Sequence, residues 1–129
     1  KGCGETLDQV ASCGGEGFVQ RLDVTSVEQW KCTIGRLQDK WPQLDLLVNN
    51  AGVGGSGEIG VFSLEDWRWL MNVNLYGAIY GCHTMVEWLK SNPSGGYIIN
   101  TASFAAIASA PAMAAYNVAK AGMISLSET

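Results

Sequence analysis

Short runs of strand-forming residues alternate with longer runs of helical apolar spacing, and that alternation restricts the chain to few architectures. Residues 18–24, 44–48 and 97–101 read as strands; the second is almost wholly apolar, as in a parallel sheet buried on both faces. After the first, Thr25 and Ser26 stand three residues before Glu28 and Gln29, a capping-box spacing. Val27, Trp30, Ile34, Leu37 and Trp41 then recur at three- and four-residue steps until Pro42 stops the helix. Ser63 opens a second helix, with Asp66 at the capping-box position and Phe62 and Trp67 placed as a hydrophobic staple. Its apolar stripe continues to Leu89, before Pro93 and Gly95. A third helix covers residues 113–127. The order strand, helix, strand, helix, strand, helix predicts a parallel sheet with helices on its faces. Ligands of such sheets bind beyond the carboxyl ends of the strands. Asn49 and Asn50 follow one such end, and Ser103 follows another.

Composition removes several alternatives. A length of 129 residues suits one domain. The net charge of −4, with no basic cluster, argues against a nucleic-acid backbone or an anionic membrane as partner. The longest apolar stretch, residues 105–115, is interrupted by Ser109 and Pro111 and falls short of the ~20 residues that span a bilayer. Residues 1–5 contain no apolar core of a secretion signal and no initiator Met, so the expectation is a chain that begins inside a longer protein. Cys3, Cys13, Cys32 and Cys82 form no C-x-x-C pair. That spacing predicts no metal site and four ordinary thiols in a reducing cytoplasm. The lone His83 has no partner motif, and the five tryptophans read as core or interface residues.

Residues 52–57, Gly-Val-Gly-Gly-Ser-Gly, match the G-x-G-x-x-G pattern of a pyrophosphate-binding turn. That motif requires its last glycine to open a helix and an acidic residue about 20 positions on, at the end of a second strand. Here residues 58–62 intervene and the acidic position falls inside a helix. A loop beside a binding cleft is the reading the context supports.

Tyr116 and Lys120 lie four apart on a helix and so share a face. A cation beside a phenol favours the phenolate, which suits acid–base work near neutrality. Ser103, thirteen residues earlier at a strand end, could donate to a reacting oxygen; a loop serine bonded to its own backbone is the plainer alternative. Asn74 and Gly77 interrupt an otherwise good helix, and propensity broken in that way points to function.

Taken in order, Asp23-Val24, Asn49-Asn50-Ala51-Gly52, Asn72-Val73-Asn74, Ser103 and Tyr116-Asn117-Val118-Ala119-Lys120 resemble the short-chain dehydrogenases/reductases. The likeness runs from about residue 17 to 129. It implies a Rossmann-like α/β fold, a doubly wound parallel sheet holding NAD or NADP. It implies that Asp23 and Val24 border the adenine and that Asn50, Ala51 and Gly52 line the cofactor cleft. Tyr116 would be the acid/base acting on an alcohol or ketone, and Ser103 would position the reacting oxygen. Lys120 would lower the pKa of Tyr116 and hold the nicotinamide ribose; Asn74 would help hold a water that passes protons to Lys120. Ala119 stands where the family often has Ser. A homodimer or homotetramer built on the two long helices is also implied.

Much of that family's domain is absent from the 129 residues. The phosphate-binding turn T-G-x-x-x-G-x-G, the opening strand and most of the second strand do not occur, nor do the strands after the last helix. In the strand order 3-2-1-4-5-6 the expected first and second strands of this chain would not be neighbours. Three spacings of ~4.8 Å, a gap of ~14 Å, would separate them, with backbone groups unpaired on both sides. Residues 1–129 are therefore expected to form a partial NAD(P)-binding domain, with its first strands and C-terminal part missing. A truncated or non-catalytic fragment is the alternative to an active enzyme.

Overall fold

The computed structural model describes residues 2–129; Lys1 lies outside the described residues. Strands β1 (Leu46–Asn49) and β2 (Tyr97–Asn100) pair in parallel, with Leu46 opposite Tyr97 and Asn49 opposite Asn100. Tyr97 N donates to Asp45 O at 2.9 Å and Thr101 N to Asn49 O at 3.0 Å, so the ladder runs one step past each strand. The helices are α1 (Gly2–Ser12), α2 (Val27–Gln38), α3 (Leu64–Met71), α4 (Gly77–Ser91) and α5 (Ala114–Ser127). None among the described residues is long and apolar enough to cross a membrane.

One expected strand does not form. Residues 18–24 carry no strand pairing, so the described sheet has two strands rather than three. The reason is the absence of a partner: a strand is stabilised by its ladder, and neither described strand pairs with this segment. Side chains fix it instead. Leu22 and Val24 pack on the core, and the Phe18 ring stacks on Trp41 with centroids 5.6 Å apart.

The helix caps follow from single residues. Ser26, not Thr25, caps α2 by accepting from Gln29 N at 3.3 Å, while Gln29 Oε1 accepts from Asp23 N at 2.8 Å. Ser63 caps α3, accepting from Asp66 N at 3.0 Å and donating to Asp66 Oδ2 at 2.7 Å. The long second helix is not continuous. A π-helical turn, Asn72–Tyr76, separates α3 from α4 and carries Asn74. Such widened turns are rare and often mark functional sites.

Only one face of the sheet is covered. Leu47 joins Trp30, Met85, Trp88 and Leu89 in a core between the sheet, α2 and α4. On the same face Asn49 Nδ2 donates to Asn100 Oδ1 at 2.8 Å, and Asn100 Nδ2 donates to Ser127 Oγ of α5 at 3.0 Å. Helix and sheet approach closely here because Gly81 lacks a side chain; a Cβ there would lie 2.5 Å from Asn49 Oδ1. On the opposite face Leu46, Val48, Tyr97 and Ile99 remain 45–73% exposed.

Candidate active site

The two strands end side by side, and their ends are tied together. Thr101, just past β2, donates its hydroxyl to Asn50 Oδ1 at 3.1 Å. The Thr101 carbonyl accepts from Lys120 Nζ at 2.6 Å. Lys120 comes from α5 and is 4% exposed, so this bond meets the need of a buried ammonium for a partner. Its Nζ also lies 5.8 Å from the centroid of the Tyr116 ring, one turn earlier on α5. The spacing of four has thus put phenol and ammonium on one helix face.

Ser103 caps a single 3₁₀ turn, Phe104–Ala106, and its Oγ accepts from Ala105 N at 3.2 Å. The plainer reading of this serine, a hydroxyl bonded to its own backbone, is therefore met. It does not exhaust the group: accepting uses a lone pair and leaves the O–H free to donate. Asn50, Gly52, Ser103, Tyr116 and Lys120 all line one open cleft of about 670 Å³ at the carboxyl end of the sheet.

Asn74 is fully buried. Its amide clamps one residue of the glycine-rich loop from both sides: Oδ1 accepts from Val53 N at 2.7 Å and Nδ2 donates to Val53 O at 2.8 Å. The side chain expected to help hold a water is thus engaged by the loop. Gly52 fits between this clamp and Lys120. A Cβ there would lie 3.2 Å from Asn74 Oδ1 and 3.9 Å from Lys120 Nζ. The decoy glycine motif is a loop along the cleft, with no helix opening at Gly57.

A second hollow of about 160 Å³ lies on the other side of Asn50, lined by Val24, Ala51, Val73 and Gly77 among others. Asn50 borders both spaces. Asp23 lines neither. Its Oδ1 accepts from Thr25 N at 3.0 Å and from Thr25 Oγ1 at 2.8 Å, and these bonds, the backbone one foremost, hold its carboxyl below the usual range. The expected constellation therefore divides. Asn50, Gly52, Ser103, Tyr116 and Lys120 meet in the cleft, Asn74 stands behind Gly52, Val24 and Ala51 flank the second hollow, and Asp23 closes a local turn.

Two further residues had not been singled out. Thr101 joins Asn50 to Lys120, and its position at the carboxyl end of a parallel strand was the available signal. Asn117, next to Tyr116 and 8% exposed, donates from Nδ2 to Ala110 O at 2.9 Å and so pins the loop before α5. That loop meets the glycine-rich one where Gly57 N donates to Ala112 O at 2.7 Å; Ala112 has φ +57°. This left-handed conformation is uncommon for a residue with a Cβ.

An open parallel sheet with a tyrosine–lysine helix face and a serine turn at its carboxyl end defines a class, and similarity to known proteins agrees. Residues 2–129 match the short chain dehydrogenase family, and the chain belongs to it. It is 35% identical over 108 residues to trans-4-hydroxycyclohexanecarboxylate dehydrogenase of Sinomonas cyclohexanicum, which spans 84% of this chain and 41% of that protein. Among solved structures it resembles a short-chain dehydrogenase/reductase from Burkholderia phymatum in complex with NAD. There the TM-score is 0.89 at 33% identity, over 97% of this chain and 44% of that one. It also resembles an NAD+-bound xylitol dehydrogenase, with TM-score 0.90 at 28% identity, over 97% of this chain and 48% of that one. The chain spans less than half the length of each of these proteins.

Proposed function

We propose that the protein to which this chain belongs transfers a hydride between NAD(P)(H) and an alcohol or carbonyl substrate, with Tyr116 as general acid/base. The observation that carries this reading is the shared cleft of Tyr116, Ser103 and Lys120, in which Lys120 Nζ is fixed on Thr101 O and lies near the Tyr116 ring.

The residues present fit a dinucleotide. Gly52 lines the cleft without a side chain, and a Cβ there would press on Asn74 Oδ1 at 3.2 Å. The hollow by Val24 and Ala51, about 160 Å³, is several times the ~30 Å³ share of one water. Asn50 would line the path between the two spaces, with Lys120 on the nicotinamide ribose and Val24 at the adenine. The bound cofactor supplies or accepts the hydride.

This chain's own residues handle the proton. In reduction the Tyr116 hydroxyl gives its proton to the carbonyl oxygen; in oxidation the deprotonated Tyr116 takes one from the alcohol. The Ser103 O–H donates to the same oxygen, its own oxygen already anchored on Ala105 N. Lys120 sets the field at Tyr116, and Asn74 fixes the loop that shapes the cofactor wall. Replacing Tyr116 by Phe in the full-length protein is expected to lower kcat by about a hundred- to ten-thousandfold, the range for a general acid/base. Tyr116→Phe turnover within a few-fold of wild type, measured as nicotinamide absorbance, would sink this assignment.

The isolated 129 residues are not expected to turn over substrate, because the bare face of Leu46, Val48, Tyr97 and Ile99 belongs in a parallel sheet covered on both sides. A homodimer or homotetramer through α3–α4 and α5 is part of the same proposal; Trp69, Tyr76 and Val118 are 44–50% exposed on these segments. A cytoplasmic setting accords with free Cys3, Cys13, Cys32 and Cys82. Titrating NADH and NADPH while following tryptophan fluorescence tests nucleotide binding directly: saturation is expected for the full-length protein.

A further inference from the structure

Ser103 and Tyr116 stand thirteen positions apart, and the reaction proposed above needs both hydroxyls at one oxygen. After the turn Phe104–Ala106, residues 107–113 form no helix or strand that could set their separation. Nor does α5 begin on a cap of the kind that starts α2 and α3. Its N-cap is Met113, whose side chain makes no capping bond. The hydrogen bonds of this loop are what remains to fix Tyr116 against Ser103.

Three of them surround Ala112. Asn117 N donates to Met113 O at 2.9 Å, and Asn117 Nδ2 donates to Ala110 O at 2.9 Å. A single residue of α5 thus holds the loop on both sides of Pro111 and Ala112. From the glycine-rich loop, Gly57 N donates to Ala112 O at 2.7 Å. Between these bonds Ala112 sits at φ +57°, a conformation that a residue with a Cβ keeps only where its surroundings impose it. Asn117 is 8% exposed. An amide is costly to bury and is a modest helix former, so packing alone does not account for it; its bond to Ala110 O does. Adjacent helical side chains point ~100° apart. Tyr116 accordingly lines the cleft, whereas Asn117 borders a different hollow with Gly57, Ala110 and Ala112.

We infer that Asn117 is a positioning residue for the reaction: it braces Ala112 in the left-handed turn, and so fixes Tyr116 relative to Ser103 and ties the glycine-rich loop to both. This role rests on the oxidoreductase reading above and deepens it. Without the amide, Ala110 O loses its partner, Ala112 relaxes toward negative φ, and its carbonyl turns away from Gly57 N. Glycine takes the left-handed region without a brace. Ala112→Gly therefore rescues a loss that runs through Ala112, and does not rescue a general loss of packing around Asn117.

The test uses the full-length protein, with cyclohexanone and dihydroxyacetone as ketones. Asn117→Ala is expected to lower kcat by about tenfold or more, since a misplacement of ~1 Å can cost a hundredfold. Adding Ala112→Gly to Asn117→Ala should recover at least about threefold of that loss, read against Ala112→Gly alone. Amide hydrogen exchange needs no substrate: Asn117→Ala should speed exchange in residues 52–60, which a defect confined to α5 would leave alone. Should Asn117→Ala fail to fold, Ala112→Val approaches the brace from its other end, because a β-branched residue resists positive φ, and the same fall in kcat and faster exchange are expected. Wild-type kcat in a folded Asn117→Ala protein, or no rescue by Ala112→Gly, overturns the positioning role. If nucleotide binds but neither ketone is reduced, exchange decides: an unchanged glycine-rich loop overturns the brace. No turnover and no saturable binding of NADH or NADPH by the wild type overturns the oxidoreductase reading and the positioning role with it.

Discussion

The two ends of one short sheet differ from its two faces in a useful way. At the carboxyl end, polar groups are closely matched: Thr101 to Asn50, Lys120 to Thr101, Asn74 to Val53. These bonds join β1, β2, the π turn and α5 within one site. The covered face is equally finished, with Leu47 in the core and the Asn49–Asn100–Ser127 chain beneath the helices. The other face has neither, and its four apolar side chains stand 45–73% exposed. The site's internal geometry is thus specified by groups this chain holds, whereas one face of the sheet is left uncovered by the 128 described residues.

The largest effect that bears on this contrast concerns the chain alone. Purified residues 1–129 should show no cofactor-dependent turnover, weak thermal cooperativity and binding of an apolar dye, because the bare face costs stability that the covered one cannot offset. A sharp unfolding transition with no dye bound would mean the sheet is stable with one covered face, and the contrast would fail.

Next in size is a test of the finished face. Gly81→Ala in the full-length protein sets a Cβ 2.5 Å from Asn49 Oδ1 and 3.0 Å from the Trp30 ring. Neither neighbour is the free end of a flexible chain, so overpacking should cost about 1–3 kcal/mol in denaturant unfolding. Asn74→Ala probes the finished end. It leaves the Val53 N–H and carbonyl without their partners, at a cost of about 1–3 kcal/mol, and should loosen the glycine-rich loop. Raised proteolytic sensitivity near residues 52–60 would accompany it; an unchanged loop would show that the π turn, rather than the Asn74 side chain, sets the loop's path.

Local pattern made most of this legible. The caps at Ser26 and Ser63, the i,i+4 pair and the two parallel strands follow from spacing and capping chemistry that act within a few residues. Residues 18–24 failed as a strand because their alternation describes a propensity, whereas a strand also needs a neighbour. The π turn was half legible: Asn74 and Gly77 signalled a break in propensity, but a one-residue widening leaves no periodic trace. The engagement of Ser103 by Ala105 N is the local turn chemistry that its loop position already offered, whereas that of the Asp23 carboxylate by Thr25 is an Asx turn that the family role assigned to Asp23 obscures. The role of Thr101 was not legible, since it depends on α5 returning Lys120 across 19 positions to a backbone carbonyl.

Thr101 also allows the smallest and most selective test of the carboxyl end. Its carbonyl holds Lys120 whatever its side chain, and its backbone N–H continues the ladder to Asn49 O. Only the hydroxyl joins it to Asn50, on the segment that leads to Ala51 and Gly52. Thr101→Val removes that hydroxyl while keeping the β-branched shape that suits the end of a strand. If the Thr101–Asn50 bond merely steadies the fold, the loss at an exposed position should show as a small change in Tm with kcat and KM untouched. If it aligns the cofactor loop with Ser103 and Lys120, Tm should hold while kcat/KM falls by about two- to fivefold, the equivalent of a modest net hydrogen bond. Thr101→Ser, which restores the hydroxyl on a poorer strand former, should then recover rate and lose stability. That crossing of the two variants, activity following the hydroxyl and stability following the methyl, separates a positioning role at the carboxyl end from the structural role that the covered face already performs.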